Sequence, residues 1–272
     1  MEIELKIITF NIYDLSLWFV KNRRQRIEGI TRELLKLNPD IICLQESFDV
    51  EHRQKINDAL SSRYYSTISN KKIATRRIFH KKMDITGGLV VFSKFPIRES
   101  VFTPFNRWAH TSFIEFFARK GLLSIILKTP LGPVRVVNTH LTNKVLFLNR
   151  AIRKKQFQMV IDLVKNDKKI PTFITGDFNE HNLMADRHYR ELITEQGFIE
   201  PIHFQGLESM PTYRKDNIYV DTFINRIKGH QQLDYILIGH LNNQAIKKIN
   251  IKPLYFNPSL SDHDPLLLTL SL

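Results

Sequence analysis

The sequence predicts an α/β or α+β fold in which sheets pack on each other and helices cover their outer faces. Short aliphatic and β-branched runs recur along the whole chain, and two amphipathic helical patterns lie between them. No flexible linker, repeat or low-complexity tract interrupts the series. With 272 residues and 43% hydrophobic content, the chain can bury one large core. We therefore predict a single domain over residues 1–272.

Each short apolar run predicts a buried strand, because continuous β-branched and aliphatic residues over four to five positions are typical of strands covered on both faces. We expect these strands near residues 7–10, 41–44, 89–92, 124–127, 134–137, 172–175, 235–238 and 266–270.

Two segments show the spacing of an amphipathic helix. The first lies between the first two strands and should end before Asn38 and Pro39, because a residue that precedes proline disfavours the helical conformation. The second runs from about residue 146 to residue 164. Their apolar positions include Ile27, Ile30, Leu34 and Leu37 in the first helix and Ile152, Val160 and Val164 in the second.

The charge balance indicates an anionic partner. A net charge of +13 and a pI near 9.8 suit nucleic acid, an anionic membrane surface or a phosphorylated small molecule. The alternative is a basic surface that serves only solubility. Charge therefore restricts the sign of the partner and leaves its identity open.

The single cysteine and the hydropathy pattern bear on the cellular compartment of the protein and on its insertion into membranes. Cys43 is the only cysteine, so an intramolecular disulfide is impossible, and its apolar run predicts a buried, inert thiol. No segment has 18 consecutive apolar residues, which excludes a membrane-spanning helix on length. A strand pattern begins almost at once, so we expect no signal peptide. These features suit a soluble protein, either cytoplasmic or secreted without disulfides, and leave the compartment unknown.

An amide and a carboxylate follow the first two predicted strands. Asn11 comes directly after residues 7–10, and Glu46 directly follows Gln45 at the end of the second apolar run. Oxygen ligands of this kind suit a hard cation such as Mg²⁺. The alternative is that each residue is a surface or capping group.

A second pair follows the strand predicted at residues 172–175. Asp177 and Asn179 are two positions apart, and on an extended chain such side chains point the same way and could face one site. Because Gly, Asp and Asn are also turn formers, Gly176 to Asn179 could equally be an ordinary turn.

Two histidines lie beside strands and could act on a phosphate. His263 lies among acids just before the last strand, and it could be a general base if a carboxylate such as Asp234 orients it. His140 follows the strand at residues 134–137 and could donate a hydrogen bond to a charged phosphate oxygen. The alternative for His263 is an exposed surface residue without a catalytic role. The alternative for His140 is a packed imidazole. Taken jointly, the metal, base and phosphate-facing groups form a complete set for in-line phosphoryl chemistry.

The order of these motifs resembles the endonuclease/exonuclease/phosphatase superfamily over essentially the whole chain. The motifs are Phe10-Asn11, Leu44-Gln45-Glu46, residues 87–97, Asn138-Thr139-His140-Leu141, Gly176-Asp177-Phe178-Asn179, Leu233-Asp234-Tyr235 and Ser261-Asp262-His263. The resemblance implies a four-layer α/β/β/α sandwich of two facing mixed sheets, with the active site at one edge.

The resemblance also implies a division of labour at this edge. Glu46 and Asn11 would associate with the metal, and Asp262 would support the metal or its water. Mg²⁺ is the implied ion, with Mn²⁺ or Ca²⁺ as alternatives. The catalytic set would be His263 as general base, Asp234 as its orienter, Asp177 and Asn179 as positioners of the water and the phosphate, and His140 as stabiliser of the charged transition state. The roles of Asp177 and His263 could be exchanged.

Within the superfamily, the sequence looks most like neutral sphingomyelinases. The features are the Gly87 to Ile97 segment, the Lys120-Gly121-Leu122 strand entry, and a helix with Arg153 and Gln156 after the His140 motif. The implied activity is hydrolysis of a phospholipid headgroup. Asn11 is followed by Ile12-Tyr13-Asp14 and not by the aromatic-glycine sequence of animal members, which leaves the lipid substrate open.

Four alternatives remain for the substrate and its surface. A DNA or RNA endonuclease or exonuclease would use cations along one groove, and a phosphoinositide phosphatase or a catalytically inactive adaptor would fit the charge. A lipid hydrolase would need peripheral membrane contact through exposed aromatics beside cations, although core aromatics are the alternative. The groove cations would be Lys71, Lys72, Arg76, Arg77, Lys81 and Lys82. The membrane clusters would be Phe102, Phe105 and Trp108 with Arg107, and Leu17, Trp18 and Phe19 with Lys21, Arg23 and Arg24.

Overall fold

Two sheets of six strands each form the centre of the molecule. The computed structural model describes residues 3–15, 20–68, 75–78, 81–84, 86–105, 119–143, 148–220, 229–241 and 246–272. In spatial order, the first sheet contains β13 (Lys248–Pro253), β14 (Leu266–Ser271), β1 (Glu4–Asp14), β2 (Ile41–Ser47), β6 (Val90–Ser93) and β3 (Tyr65–Ser66). The second contains β11 (Phe198–Ile199), β12 (Asp234–Gly239), β10 (Thr172–Asp177), β9 (Gly132–His140), β8 (Gly121–Thr129) and β7 (Ile97–Pro104). A separate hairpin joins β4 (Thr75–Ile78) and β5 (Lys81–Asp84).

Helices cover the outer face of each sheet. On the first sheet lie α1 (Arg23–Leu37) and α2 (Val50–Leu60), and on the second lie α3 (Leu148–Val164) and α4 (Arg187–Glu195). A short helix, α5 (Pro201–Phe204), follows β11. The layers therefore run helix, sheet, sheet, helix, which confirms the predicted four-layer sandwich.

All eight predicted strands are present, and most are longer than predicted. Both sheets are mixed: β1 pairs parallel with β2, and β9 pairs parallel with β10, whereas the neighbouring pairs are antiparallel. Successive side chains of a strand point to opposite faces of its sheet. Ile7 and Cys43 therefore face the other sheet, whereas Ile8 and Ile42 face the helices, which explains the continuous apolar runs. Each central strand is therefore apolar on both sides.

The first predicted helix is confirmed. Ile27, Ile30 and Leu34 are buried against the first sheet, and α1 ends at Leu37. Asn38 has a left-handed backbone (φ 47°), and its N–H donates to the carbonyl of Leu34, which closes the last turn.

The second predicted helix begins at Leu148, and residues 144–147 lie outside the described residues. The unpredicted helix α2 begins with a cap, since the Asp49 side chain accepts from the backbone N–H groups of Glu51 and His52.

A buried polar bridge joins the two sheets just below the edge that carries the candidate site. The Gln45 amide of β2 donates to the side chain of Asn138 on β9 (2.7 Å) and to the hydroxyl of Thr9 (2.9 Å). The Asn138 amide donates in turn to the carbonyls of Leu44 (2.9 Å) and Val90 (3.2 Å). These bonds fix the spacing of the sheets where the apolar core ends.

The absence of a membrane-spanning helix and the burial of Cys43 were also predicted from the sequence. No helix in the described ranges is long and apolar enough to cross a membrane. Cys43 is fully buried between the sheets, and burial raises the pKa of its thiol to about 12. The predicted burial of this thiol is confirmed, and its raised pKa disfavours the thiolate, which is the reactive species.

Candidate active site

The eight predicted site residues lie together at one edge of the sandwich. On β10, Asp177 pairs in register with His140 of the parallel neighbour β9 and with Asp234 of the antiparallel neighbour β12. The facing sheet contributes β1, β2 and the segment that precedes β14. The full set at this edge is Asn11, Glu46, His140, Asp177, Asn179, Asp234, Asp262 and His263.

The first two residues lie inside strands, whereas the sequence predicted them directly after strands. Asn11 belongs to β1 and Glu46 to β2, because both strands extend beyond their apolar runs. The β1–β2 register shifts between Asn11 and Asp14, and Tyr13 (φ 48°) and Glu46 (φ 55°) have left-handed backbones. Such irregularities redirect side chains out of the sheet pattern and toward the cleft.

A hydrogen bond across the sheets links Asn11 to Asp177. The Asn11 amide donates to Oδ2 of Asp177 (3.0 Å), and its Oδ1 accepts from the backbone N–H of Tyr13 (3.1 Å). Both side chains are buried, at 2% and 1% exposure. The amide and the carboxylate therefore hold each other in fixed orientations.

Asp177 and Asn179 do face one site, but not through the extended geometry that the sequence predicted. Asn179 has a left-handed backbone (φ 51°), and its N–H donates to Oδ1 of Asp177 (2.8 Å). Its amide donates to the carbonyl of Leu141 (3.0 Å). The pair thus forms an Asx-type turn, so the turn and the site, treated as alternatives in the sequence, are the same feature.

Gly176 is required by this arrangement. Its φ of 141° disfavours other residues, and a Cβ there would lie 1.9 Å from the carbonyl oxygen of Thr139. The close approach of β10 to β9 places Asp177 directly beside His140.

An oriented histidine lies on the other side of Asp177. Nδ1 of His263 is 2.8 Å from Oδ2 of Asp234, and Nε2 is 3.7 Å from Oδ2 of Asp177. The Thr212 hydroxyl accepts from the backbone N–H of Asp234 (3.2 Å), which fixes the start of β12. Burial opposes protonation, but the charges of the surrounding carboxylates raise the pKa of His263 well above its usual value.

His140 has a cationic partner, Lys120, that no sequence motif marks as a site residue. Nζ of Lys120 is 2.9 Å from Nε2 of His140 and donates to the carbonyl of Leu141 (2.8 Å). Burial, and then the charges of Lys120 and His263, lower the pKa of His140 well below its usual value. The imidazole is therefore neutral, and Nε2 accepts a hydrogen bond from the ammonium. The positive charge at this side of the cleft belongs to Lys120.

Two carboxylates lie in the cleft without enough positive charge to balance them. Burial, followed by the charge of Asp262, raises the pKa of Glu46 to about 7, and burial also raises the pKa of Asp262. Oε2 of Glu46 is buried and has no hydrogen-bond partner among the described residues. Repelling carboxylates with an unused buried oxygen are what a hard divalent cation would relieve.

A second group of potential metal ligands comprises Asp177, Asp234 and His263, whose ligand atoms lie within 4.8 Å of one another. Asp234 and His263 already bond each other, and both oxygens of Asp177 accept hydrogen bonds from Asn11 and Asn179. These contacts fit a carboxylate that orients an imidazole better than they fit an open coordination sphere. Glu46 and Asp262 are therefore the better cation ligands.

Residues from distant parts of the chain hold the loops of the site. The guanidinium of Arg26, from α1, donates to the carbonyls of Ile12 (2.9 Å) and Leu260 (3.1 Å), just before the Asp262 loop. On the other side, Arg153 of α3 donates twice to Glu180, next to Asn179. In the sequence, Arg153 stands out only as part of a family pattern, and nothing local marks Arg26.

The structure describes only part of the two predicted membrane clusters and of the predicted nuclease groove. Phe105 is 2% exposed in the core of the second sheet, and Phe102 packs against the core between the sheets, so these two are core aromatics and not exposed membrane anchors. Arg107 and Trp108, and the second cluster's Leu17, Trp18 and Phe19, lie outside the described residues. The six cations of the predicted nuclease groove also fall outside the residues whose side chains are described.

The fold and the cleft together define a two-sheet sandwich with acids, amides and imidazoles gathered at one edge. The chain belongs to the Endonuclease/Exonuclease/phosphatase family, whose model matches residues 8–263. The predicted family is thereby confirmed.

Known proteins similar to this chain include two lipid hydrolases. The chain is 26% identical over 291 aligned positions to Sphingomyelinase C 2 of Leptospira interrogans serogroup Icterohaemorrhagiae serovar Lai (strain 56601), covering 97% of the chain and 46% of that relative. It is 30% identical over 142 positions to an inositol phosphosphingolipids phospholipase C of Schizosaccharomyces pombe, covering 51% of the chain and 31% of that relative. The chain thus spans less than half the length of these relatives.

Solved structures share the fold. The crystal structure of SmcL has a TM-score of 0.76 at 20% identity, with 99% of each chain covered. A beta toxin variant from Staphylococcus aureus, solved with bound magnesium ions, has a TM-score of 0.70 at 19% identity, covering 98% of this chain and 99% of that one.

Proposed function

We propose that the chain is a divalent-metal-dependent phosphodiesterase that cleaves the headgroup of a sphingolipid-type phospholipid. The observation that carries the proposal is the imidazole of His263, held by Asp234 at 2.8 Å, in the same cleft as Glu46 and Asp262. The two lipid hydrolases similar to the chain support the substrate class. Hydrolysis would release a phosphorylated alcohol and leave a ceramide.

Glu46 and Asp262 would hold the cation, with Asn11 fixed beside them. Mg²⁺ is the preferred ion, since oxygen donors dominate this side of the cleft, and Mn²⁺ or Ca²⁺ would suit the same donors. When bound, the ion would polarise the phosphate and neutralise its developing charge. The unused oxygen of Glu46 and its raised pKa support this placement.

In its neutral form, His263 would remove the proton from the attacking water. A cation held by Glu46 and Asp262 would favour that form, because it would offset carboxylate charge that raises the pKa of His263. Nε2 of His263 and Oδ2 of Asp177 are 3.7 Å apart, so one water can contact both atoms. Asp234 bonds Nδ1 and so leaves Nε2 to face that water, and Asp177 would orient the water. Asn179 would position the phosphate beside them.

Lys120 and His140 would stabilise the transition state together. The sequence assigned this role to His140 as a hydrogen-bond donor, but its Nε2 accepts from Lys120. The Lys120 ammonium would supply the charge for the phosphate oxygen, and His140 would hold it in place.

Nuclease activity is the second candidate, and the observation that favours it is the net charge of +13. The same metal and base would then act on a nucleic-acid phosphodiester. Peripheral contact with a membrane is part of the lipid proposal and not of this one.

A substrate panel separates these activities. Vesicles that contain sphingomyelin or an inositol phosphosphingolipid, supercoiled plasmid, RNA and a phosphoinositide would each be incubated with Mg²⁺, with and without a chelator. We expect chelator-sensitive headgroup release from vesicles by the wild-type protein and by His203→Ala, whose histidine is exposed, and none by His263→Ala. Plasmid nicking without lipid hydrolysis would replace the lipid proposal with the nuclease. No hydrolysis in any arm would overturn the enzyme assignment.

A further inference from the structure

Two tyrosines from distant parts of the chain flank the acidic cleft. Tyr13 belongs to β1, and Tyr213 lies in the segment between α5 and β12. Burial and the charge of Asp262 raise the pKa of Tyr13, and the same two causes are the largest for Tyr213. The charge of Glu46 also acts on both phenols. Each phenol is therefore within electrostatic range of the carboxylates proposed to hold the cation.

The backbone holds Tyr13 in an uncommon conformation. Its φ is 48°, at the irregular end of β1, and its N–H donates to the Asn11 side chain (3.1 Å). Its carbonyl accepts from the Arg26 guanidinium (2.7 Å), which also lies 5.5 Å from the centre of the ring. A tyrosine kept in a left-handed conformation by this many contacts has a fixed direction.

Tyr213 is fixed against the proposed base. Its ring packs edge-on against the imidazole of His263, with 5.1 Å between ring centres. Its backbone pairs with that of Gln231 through two hydrogen bonds (2.8 and 2.9 Å) and bridges to His263. The position of this ring is therefore tied to that of the imidazole.

The two hydroxyls are uncommitted donors. Neither makes a hydrogen bond within the part of the chain that the structure describes. By contrast, the amides of Asn11 and Asn179 already donate to Asp177 and to a backbone carbonyl. A phosphate that enters a cleft of carboxylates needs donors for its nonbridging oxygens, and a neutral phenol supplies one without adding charge.

We propose that the hydroxyls of Tyr13 and Tyr213 form a two-donor binding site for the nonbridging oxygens of the substrate phosphodiester. The inference rests on the proposed function and adds substrate-binding residues to it. Both donors would act on the phosphate that all candidate headgroups share. The site therefore contributes to phosphodiester binding and not to the choice of headgroup.

Removing each hydroxyl while keeping its ring tests this site. Tyr13→Phe, Tyr213→Phe and the double variant would be compared with Tyr65→Phe, whose side chain is 54% exposed. The substrate is 4-nitrophenyl phosphorylcholine with Mg²⁺, and melting temperature is recorded for every variant. We expect kcat/KM to fall about 10- to 100-fold for each cleft variant, the range for a hydrogen bond to a charged group. Tyr65→Phe should match the wild type.

The two phosphorothioate enantiomers of the same substrate, each with sulfur at one of the two nonbridging positions, provide a readout that a structural defect would not move. Sulfur in place of a nonbridging oxygen weakens its hydrogen bonds, so the oxygen-to-sulfur rate ratio should fall in the variant that has lost the matching hydroxyl. Unchanged ratios, or wild-type kcat/KM in the double variant, would overturn the tyrosine site and leave the proposed function standing. A wild-type protein inactive on this diester and on lipid vesicles would overturn both.

Discussion

The central strands have two ends that are equally buried and chemically opposite. At one end, Ile7 of β1 and Val136 of β9 lie fully buried in the apolar core between the sheets. A few residues further on, Asn11 and His140 are buried at 2% and 1% exposure among carboxylates. Burial stabilises the first end, because apolar surface leaves water, and destabilises the second wherever charge is left unbalanced. The comparison indicates that the polar end is kept for chemistry and that the apolar end provides its stability.

The largest expected effect concerns the orientation of the base. Asp234→Asn should lower kcat of the metal-loaded enzyme by about 10³- to 10⁴-fold, as in triads where an asparagine stabilises the wrong histidine tautomer. Lipid-headgroup release measures this effect. Asp216→Asn, with a side chain 61% exposed, is the matched control and should keep wild-type activity. Wild-type kcat in Asp234→Asn would refute the proposed role of this carboxylate.

The second prediction concerns the apolar end of the central strands. Ile7→Ala should lower the free energy of unfolding by about 2–5 kcal/mol, because a buried side chain is replaced by a cavity. Denaturant unfolding measures the loss, with Lys6→Ala as the neighbouring control, since the Lys6 side chain is 40% exposed. The folded fraction should keep its kcat. A strong fall in kcat without loss of stability would contradict the separation between the two ends.

The polar bridge between the two ends should have an intermediate effect. Asn138→Ala leaves the Leu44 carbonyl and the Gln45 amide without this partner, which should cost about 1–3 kcal/mol of stability. Because the bridge sets the sheet spacing below the cleft, we also expect a lower kcat. Chemical unfolding and headgroup release, measured on the same samples, test both parts. Unchanged stability would show that the bridge is dispensable.

The last variant should gain stability, whereas the variants above lose activity or stability. Burial raises the pKa of Glu46 from 4.5 to about 7, so the folded chain binds its proton more tightly than the unfolded chain does. Ionisation of Glu46 therefore destabilises the metal-free protein progressively as the pH rises from 4.5 toward 7. Glu46→Gln should be more stable than the wild type above this window and equal to it below.

Unfolding in a chelator at several pH values measures that difference. The same variant should lose the stabilisation that Mg²⁺ gives to the wild type. Equal stability of the two proteins at every pH would contradict an uncompensated charge at this end of the strands.

The sequence predicted the parts of the structure that leave a local pattern. The central strands were found because both faces are buried, and the site residues because they lie at the polar ends of those strands. The edge strands β7 and β13 were missed, since β7 is largely exposed and carries no continuous apolar run. Helix α2 was missed because it has no clear apolar periodicity. Its start is marked only by the capping residue Asp49.

The missed site residues share a different cause. Lys120 meets His140, and Thr212 meets Asp234, across 20 and 22 positions of the chain, so no spacing rule links them. Tyr213 reaches His263 only because its segment bridges to the loop before β14. The sequence offered a turn at Asn179 only as an alternative to the site, because turn formers alone do not show that a left-handed residue can still face the cleft.

The position of the bound metal decides whether Glu46 and Asp262 hold the cation while Asp234 and His263 form the base. Crystals grown with Mn²⁺ would be measured for anomalous scattering at the manganese edge. We expect a peak at about 2.0–2.6 Å from a carboxylate oxygen of Glu46, with Asp234 still bonded to His263. A peak coordinated by Asp177, Asp234 and His263, with Glu46 unliganded, would contradict it.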